Sequence, residues 1–160
     1  MRNAFSVALK LLIAVFILAI GIAALDLRLI QPLRTPACNP ETLEAGHICL
    51  GQLLKEWHGR IVWIDARQQD DFERNTVRQG PVFPVRPADD DYQELLANAM
   101  EALMTASDKG QCIVIFCSRD CSSSTAVANE LKKPEYGIQA PIFILEGGWD
   151  ELRNEPSLVH

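Results

Sequence analysis

The chain lacks any cluster of Lys and Arg, and its three histidines fall in no useful pattern. With basic residues scattered and a formal net charge of -6, there is no concentrated positive surface to hold a phosphate backbone, so no nucleic-acid partner is expected. His47, His58 and His160 stand at no ligand spacing and have no link to any cysteine loop. No Cys-His catalytic pair follows from them. Internal repeats and low-complexity tracts are also missing, and 160 residues, 48% of them hydrophobic, suit one domain with a short appendage.

What the chain does have is a strongly apolar start. Ala4 to Leu25 is broken only by Ser6 and Lys10, and Leu11 to Leu25 carries no charge. As a helix rising ~1.5 Å per residue this stretch would span the ~30 Å of a bilayer's hydrocarbon core, with Lys10 reaching back to the headgroups. Residues 1–28 are therefore expected to form an N-terminal transmembrane anchor. A cleaved secretory signal is the rival, since Arg2 and Lys10 supply a basic start, but Gly21-Ile22-Ala23 is a weak cleavage site and Leu27, Leu29 and Ile30 continue the apolar character. A core helix is disfavoured because the uncharged run has no polar face. Arg2 and Lys10 before the segment nearly balance Arg28 and Arg34 after it, so charge does not fix the orientation. An extracytoplasmic domain is the default expectation, and that compartment would permit Cys38 and Cys49 to pair.

Residues 29–45, with Pro32, Pro36 and Pro40, read as a linker. From residue 46 to 160 strands and helices alternate. A short strand at His47-Ile48-Cys49 precedes a helix from Leu50 to Trp57 with Leu53, Leu54 and Trp57 at helical spacing. IVWIDAR (61–67) and CIVIFC (112–117) read as buried parallel strands, PIFILEGGW (141–149) as a third strand closed by a Gly-Gly turn. Between them lie a helix over Asp89 to Ser107, its acidic start matched to the helix dipole, and another over Thr125 to Lys133, ended by Pro134. This order predicts an α/β three-layer sandwich with a mainly parallel sheet.

The stretch that could do chemistry is FCSRDCSSS, residues 116–124. Cys117 stands where a buried strand ends, and Ser118, Arg119, Asp120, Cys121, Ser122 and Ser123 lead into a helix. Loop amides and the helix's positive end would stabilise an anionic sulfur there, and the thiolate is the nucleophilic form of cysteine.

Three stretches resemble the rhodanese-like family in order and spacing. IVWIDAR resembles the strand ending in the family's Asp-x-Arg signature, CIVIFCSRDCSSS its strand and active-site loop, and IFILEGGWDEL its closing strand and Gly-Gly-aromatic turn. The resemblance covers residues 46–160. It implies that Cys117 is the catalytic cysteine, that residues 118–123 form its loop, and that Asp65, Arg67, Gly147, Gly148 and Trp149 are the structural signature. The implied activity is sulfurtransferase chemistry without cofactor or metal. Cys117 would take sulfur from a donor such as thiosulfate or polysulfide, hold it as a persulfide, and pass it to a thiol or other thiophilic acceptor. The chain departs from the family pattern at NTVRQGPVFPV (75–85), which lacks the usual histidine, and at the loop's end, where Ser122, Ser123 and Ser124 replace an arginine. Serine at 123 also excludes the Cys-x5-Arg loop of phosphatases sharing this fold. The alternative is a redox or interaction module with weak turnover.

Several residues carry simpler readings. Cys112 and Cys117, five apart on one strand, should face opposite ways and so not share a metal. Cys121 is either a small loop residue or a resolving thiol. The Met pair, Met100 and Met104, reads as core filler, Trp149 as an aromatic plug, and Glu73 as a partner for Arg67.

Overall fold

The computed structural model describes residues 38–118 and 122–159. The expected anchor over 1–28, the linker as far as residue 37, loop residues Arg119, Asp120 and Cys121, and His160 lie outside the described residues. Among the described residues, no helix is long and apolar enough to cross a membrane.

The sheet has five parallel strands: β1 (His47–Ile48), β2 (Ile61–Asp65), β3 (Val82–Pro84), β4 (Cys112–Phe116) and β5 (Ile142–Leu145), in the order β1-β5-β4-β2-β3. Each residue of β2 and β4 is buried, as expected of central parallel strands covered on both faces. The α-helices among the described residues are α1 (Leu50–Trp57), α2 (Gln69–Arg74), α3 (Tyr92–Thr105), α4 (Ser123–Leu131) and α5 (Gly148–Leu152).

Strand alternation divides the apolar side chains into two layers. On one face Val62, Ile64, Ile113 and Ile115 meet Leu96, Ala99 and Leu103 of α3 and Val127, Ala128 and Leu131 of α4. On the other, Ile61, Trp63, Val114 and Phe116 meet Leu50 and Leu53 of α1 and Leu152 of α5. Burying one such branched or aromatic side chain contributes about 1.5–3 kcal/mol. Cys117 belongs to the first layer and Cys112 to the second, so the two sulfurs do face opposite ways.

Several expectations need adjustment. The acidic start of α3 stays outside the helix, which begins at Tyr92, because Arg86, itself buried, draws Asp89 and Asp91 into a turn. Met104 is 55% exposed, so only Met100 of the pair packs on the core. Helix α4 is shifted two residues earlier than Thr125–Lys133; Lys133 is extended because the residue before a proline is pushed out of the helical region. Cys38 and Cys49 form a disulfide with Cα atoms 5.6 Å apart. Closing a loop of 11 residues' separation stabilises the fold by about 2–3 kcal/mol on the chain-entropy account, and it ties residues 38–45 to the start of α1.

Candidate active site

The carboxyl ends of β2, β4 and β5 meet at one edge of the sheet, where ligand sites of parallel α/β domains form. The end of β2 delivers Asp65 and Arg67, both buried. Arg67 donates from Nε and Nη2 to the Asp65 carboxylate at 2.7 to 3.2 Å, and from its backbone N-H to Asp65 Oδ1 at 3.0 Å. Thr76 Oγ1 donates to Asp65 Oδ2 at 3.0 Å, and Arg67 Nη2 also donates to the Asn75 carbonyl at 2.6 Å. A charge pair this dry is tolerated only because both members are saturated with partners. Glu73 is not the partner of Arg67: residues two apart at a strand's end share a side, whereas Glu73 is exposed on α2 and accepts from Gln69.

The other face of the Arg67 guanidinium lies 3.9 Å from the centre of the Trp149 ring, a cation–π distance. Trp149 stacks in turn on Phe116, the last residue of β4, with ring centroids 6.1 Å apart. It is half-buried against the α1/α5 layer, and its backbone N-H donates to the Cys117 carbonyl at 2.8 Å. Asp65, Arg67, Trp149 and Cys117 thus form one connected structure from three strands.

Gly147 and Gly148 bring Trp149 there. Both have positive φ, +73° and +52°, and an added Cβ on Gly148 would lie 2.2 Å from the Cys117 carbonyl oxygen. That close approach admits no side chain.

Cys117 is buried and disulfide-bonded, with Sγ 3.5 Å from the Ala66 carbonyl oxygen. A sulfur in a disulfide has no proton to give, so this is a contact rather than a hydrogen bond. Ser118, next in the chain, is exposed; Ser122 precedes α4 and Ser123 opens it. Arg119, Asp120 and Cys121 lie outside the described residues.

A cleft of about 530 Å³ opens beside Ser118, walled by Arg67, Arg74, Asn75, Trp149 and Arg153 among others. Sequence reading missed Arg74 and Arg153, which belong to no motif, and it gave no role to Asn75 and Thr76, which open the 75–85 stretch; only the crossing of chain between strands brings them to this edge of the sheet.

Cys112 is the free cysteine among the described residues. Burial pushes its thiol up to about 12, outweighing its backbone hydrogen bond and nearby Arg60. Native protein at pH 8 is therefore expected to leave Cys112 unlabelled by iodoacetamide, with labelling on addition of denaturant. Labelling of Cys112 at the rate of an exposed thiol would contradict its place in the core. Because its folded value lies above that of the unfolded chain, this group leaves stability unchanged below about pH 9 and reduces it as pH rises toward 12. No group of His, Cys, Asp and Glu among the described residues could hold a metal ion.

Fold and site together define a parallel α/β domain with a cysteine-headed loop at the carboxyl edge of its sheet. The rhodanese-like domain model matches residues 50–155, and the chain belongs to that family, which places it in a sulfurtransferase-type superfamily. No curated protein matches it. Among solved structures it is similar to one titled "Crystal structure of N-terminal domain of putative ATP/GTP binding protein from Clostridium difficile 630", with 18% identity and a TM-score of 0.44 over 68% of this chain and 96% of that one. That likeness is too distant to bear on function.

Proposed function

We propose that the domain is a sulfurtransferase or persulfide carrier in which Cys117 is the nucleophile. The observation that carries this reading is the position of Cys117, at the end of a central strand and one residue from a polar cleft, in a chain of this family. The Cys117 thiolate attacks the outer sulfur of thiosulfate; a new S-S bond forms on Cys117, the donor's S-S bond breaks, and sulfite leaves. An acceptor thiolate then attacks the terminal sulfur of the persulfide and releases the Cys117 thiolate. The bonded state of Cys117 favours a second, redox reading, with a step that shares the same persulfide. In that reading Cys121, four residues further along the same loop, is the resolving thiol. Its thiolate would attack Cys117 Sγ in the persulfide, expel hydrosulfide and leave a Cys117-Cys121 disulfide, which an external dithiol would reduce.

The test is intact mass after reduction and incubation with thiosulfate or polysulfide. A gain of one sulfur, mapped to the Cys117 peptide, is the expected result, and no gain with any donor would end the transfer reading.

The apolar segment over 1–28 would tether this domain to a membrane, on the extracytoplasmic side by default. Full-length protein should resist extraction by alkaline carbonate, and release into the wash would remove the tether from the reading.

A further inference from the structure

We infer that Trp149 is a positioning residue for the nucleophile: from the layer opposite the sulfur it fixes the Cys117–Ser118 peptide, so that the Ser118 N-H is turned to the side where the Cys117 sulfur lies. The inference rests on the sulfur-transfer reading and deepens it. Trp149 is the second residue of α5, so its N-H is one of the amides that a helix cannot satisfy from within. The Cys117 carbonyl takes that bond at 2.8 Å, and Gly148, having no Cβ, lets the two chains come so close. One peptide earlier, the Phe116 carbonyl faces the other way and accepts from the Ala66 N-H at 2.8 Å, just past β2. Both carbonyls beside the Cys117 α-carbon are therefore held, one by each neighbouring strand end.

In a trans peptide the carbonyl and the following N-H point in opposite directions, and among the described residues every peptide bond is trans. With the Cys117 carbonyl drawn toward the turn after β5, the Ser118 N-H is turned toward the end of β2. Cys117 Sγ leans to the same side, 3.5 Å from the Ala66 carbonyl oxygen. Lone pairs that near work against a thiolate. A loop amide on the same side offsets them, and Ser118 supplies the first one only while its peptide keeps this orientation. The Trp149 ring keeps it there. Its two partners are the Arg67 guanidinium, 3.9 Å from the ring centre, and the Phe116 ring, stacked with centroids 6.1 Å apart. Arg67 cannot drift, because the Asp65 carboxylate and the Asn75 carbonyl hold its fork. A helix of five residues is too short to stand by its own hydrogen bonds. Packing sets its place, through Leu152 in the core and through this ring stack at its start.

The experiment compares the reduced full chain of wild type with Trp149→Phe and Trp149→Leu. Alkylation of Cys117 by iodoacetamide is followed as a function of pH, with the labelled peptide identified by mass. Trp149→Leu keeps an apolar side chain but offers no ring to Arg67 or Phe116; its profile should move to higher pH, with alkylation at pH 7 slowed about fivefold. Trp149→Phe keeps an aromatic face and should retain most of the wild-type rate. Sulfur uptake from thiosulfate should fall in the same order. A smaller folded fraction would lower the amplitude of the alkylation profile and leave its midpoint in place, so the midpoint separates positioning from stability. Hydrogen exchange of the Trp149 amide in reduced wild type needs no variant, and slow exchange is expected there. A wild-type midpoint in Trp149→Leu, or fast exchange of that amide in wild type, would overturn the inference. A shifted midpoint in Trp149→Leu, with no sulfur uptake by wild type from any donor, would instead retain the positioning role and remove the transfer reading.

Discussion

Gly148→Ala is expected to lower the stability of the domain by about 2–5 kcal/mol, nearly as much as Gly148→Val. Two costs combine. The φ of +52° is a left-handed conformation that charges a residue with a Cβ about 1–2 kcal/mol. The Cβ itself would stand 2.2 Å from the Cys117 carbonyl oxygen and 3.2 Å from its carbonyl carbon, and forcing atoms into a packed core costs about 1–3 kcal/mol or more. That carbonyl cannot swing aside cheaply, because it accepts from Trp149 N-H while β4 is paired on both sides. Since the clash is with the first side-chain atom, alanine already incurs it. Gly147→Ala provides the contrast: its φ is +73°, but its Cβ would meet Glu151 Cγ at 2.6 Å, and the flexible side chain of this half-buried Glu can rotate away, so about 1–2 kcal/mol is expected. Denaturant midpoints of the two variants decide the matter. Equal stability of Gly148→Ala and wild type would show that the turn does not press on Cys117 as described.

The same contact explains which parts of the site could be read from sequence. The strands over Ile61–Asp65 and Cys112–Phe116 were legible because a strand buried on both faces must be apolar throughout, and the glycines were legible because a turn against backbone excludes a Cβ. Helix α2 was not, since Gln69–Arg74 buries no residue and so carries no apolar period. Helix α5 was hidden for another reason: its first residue is Gly148, which reads as the end of a turn rather than the start of a helix. Arg67 was expected to pair with an acidic residue, and it does, but the choice between Glu73 and Asp65 depends on which side chain turns inward. Arg74 and Arg153 sit on opposite flanks of Cys117 in sequence, and only the order β1-β5-β4-β2-β3 brings both to one cleft.

Cys117→Ser is expected to abolish sulfur uptake, whereas Cys121→Ser is expected to leave the first uptake intact and lengthen the life of the persulfide. A serine hydroxyl cannot form the S-S bond that stores the sulfur, so the loss should be complete rather than partial. Because Cys117 is buried in the α3/α4 layer, Cys117→Ala serves as a second variant, and both should retain the circular dichroism of the wild type. Uptake should also need prior reduction, since Cys117 is disulfide-bonded and a disulfide sulfur offers no thiolate to the donor. After reduction at pH 7, Cys117 should alkylate before Cys121, and Cys112 not at all. If Cys121 is the resolving thiol, wild type loaded with sulfur should release hydrosulfide and return to the oxidised form without an added acceptor. Cys121→Ser should do neither, because no second thiolate is present to attack Cys117 Sγ. Full transfer by Cys117→Ser would assign the nucleophile elsewhere. Hydrosulfide release at an unchanged rate from Cys121→Ser would remove the resolving step and with it the redox reading, leaving a one-cysteine carrier that depends on an external acceptor.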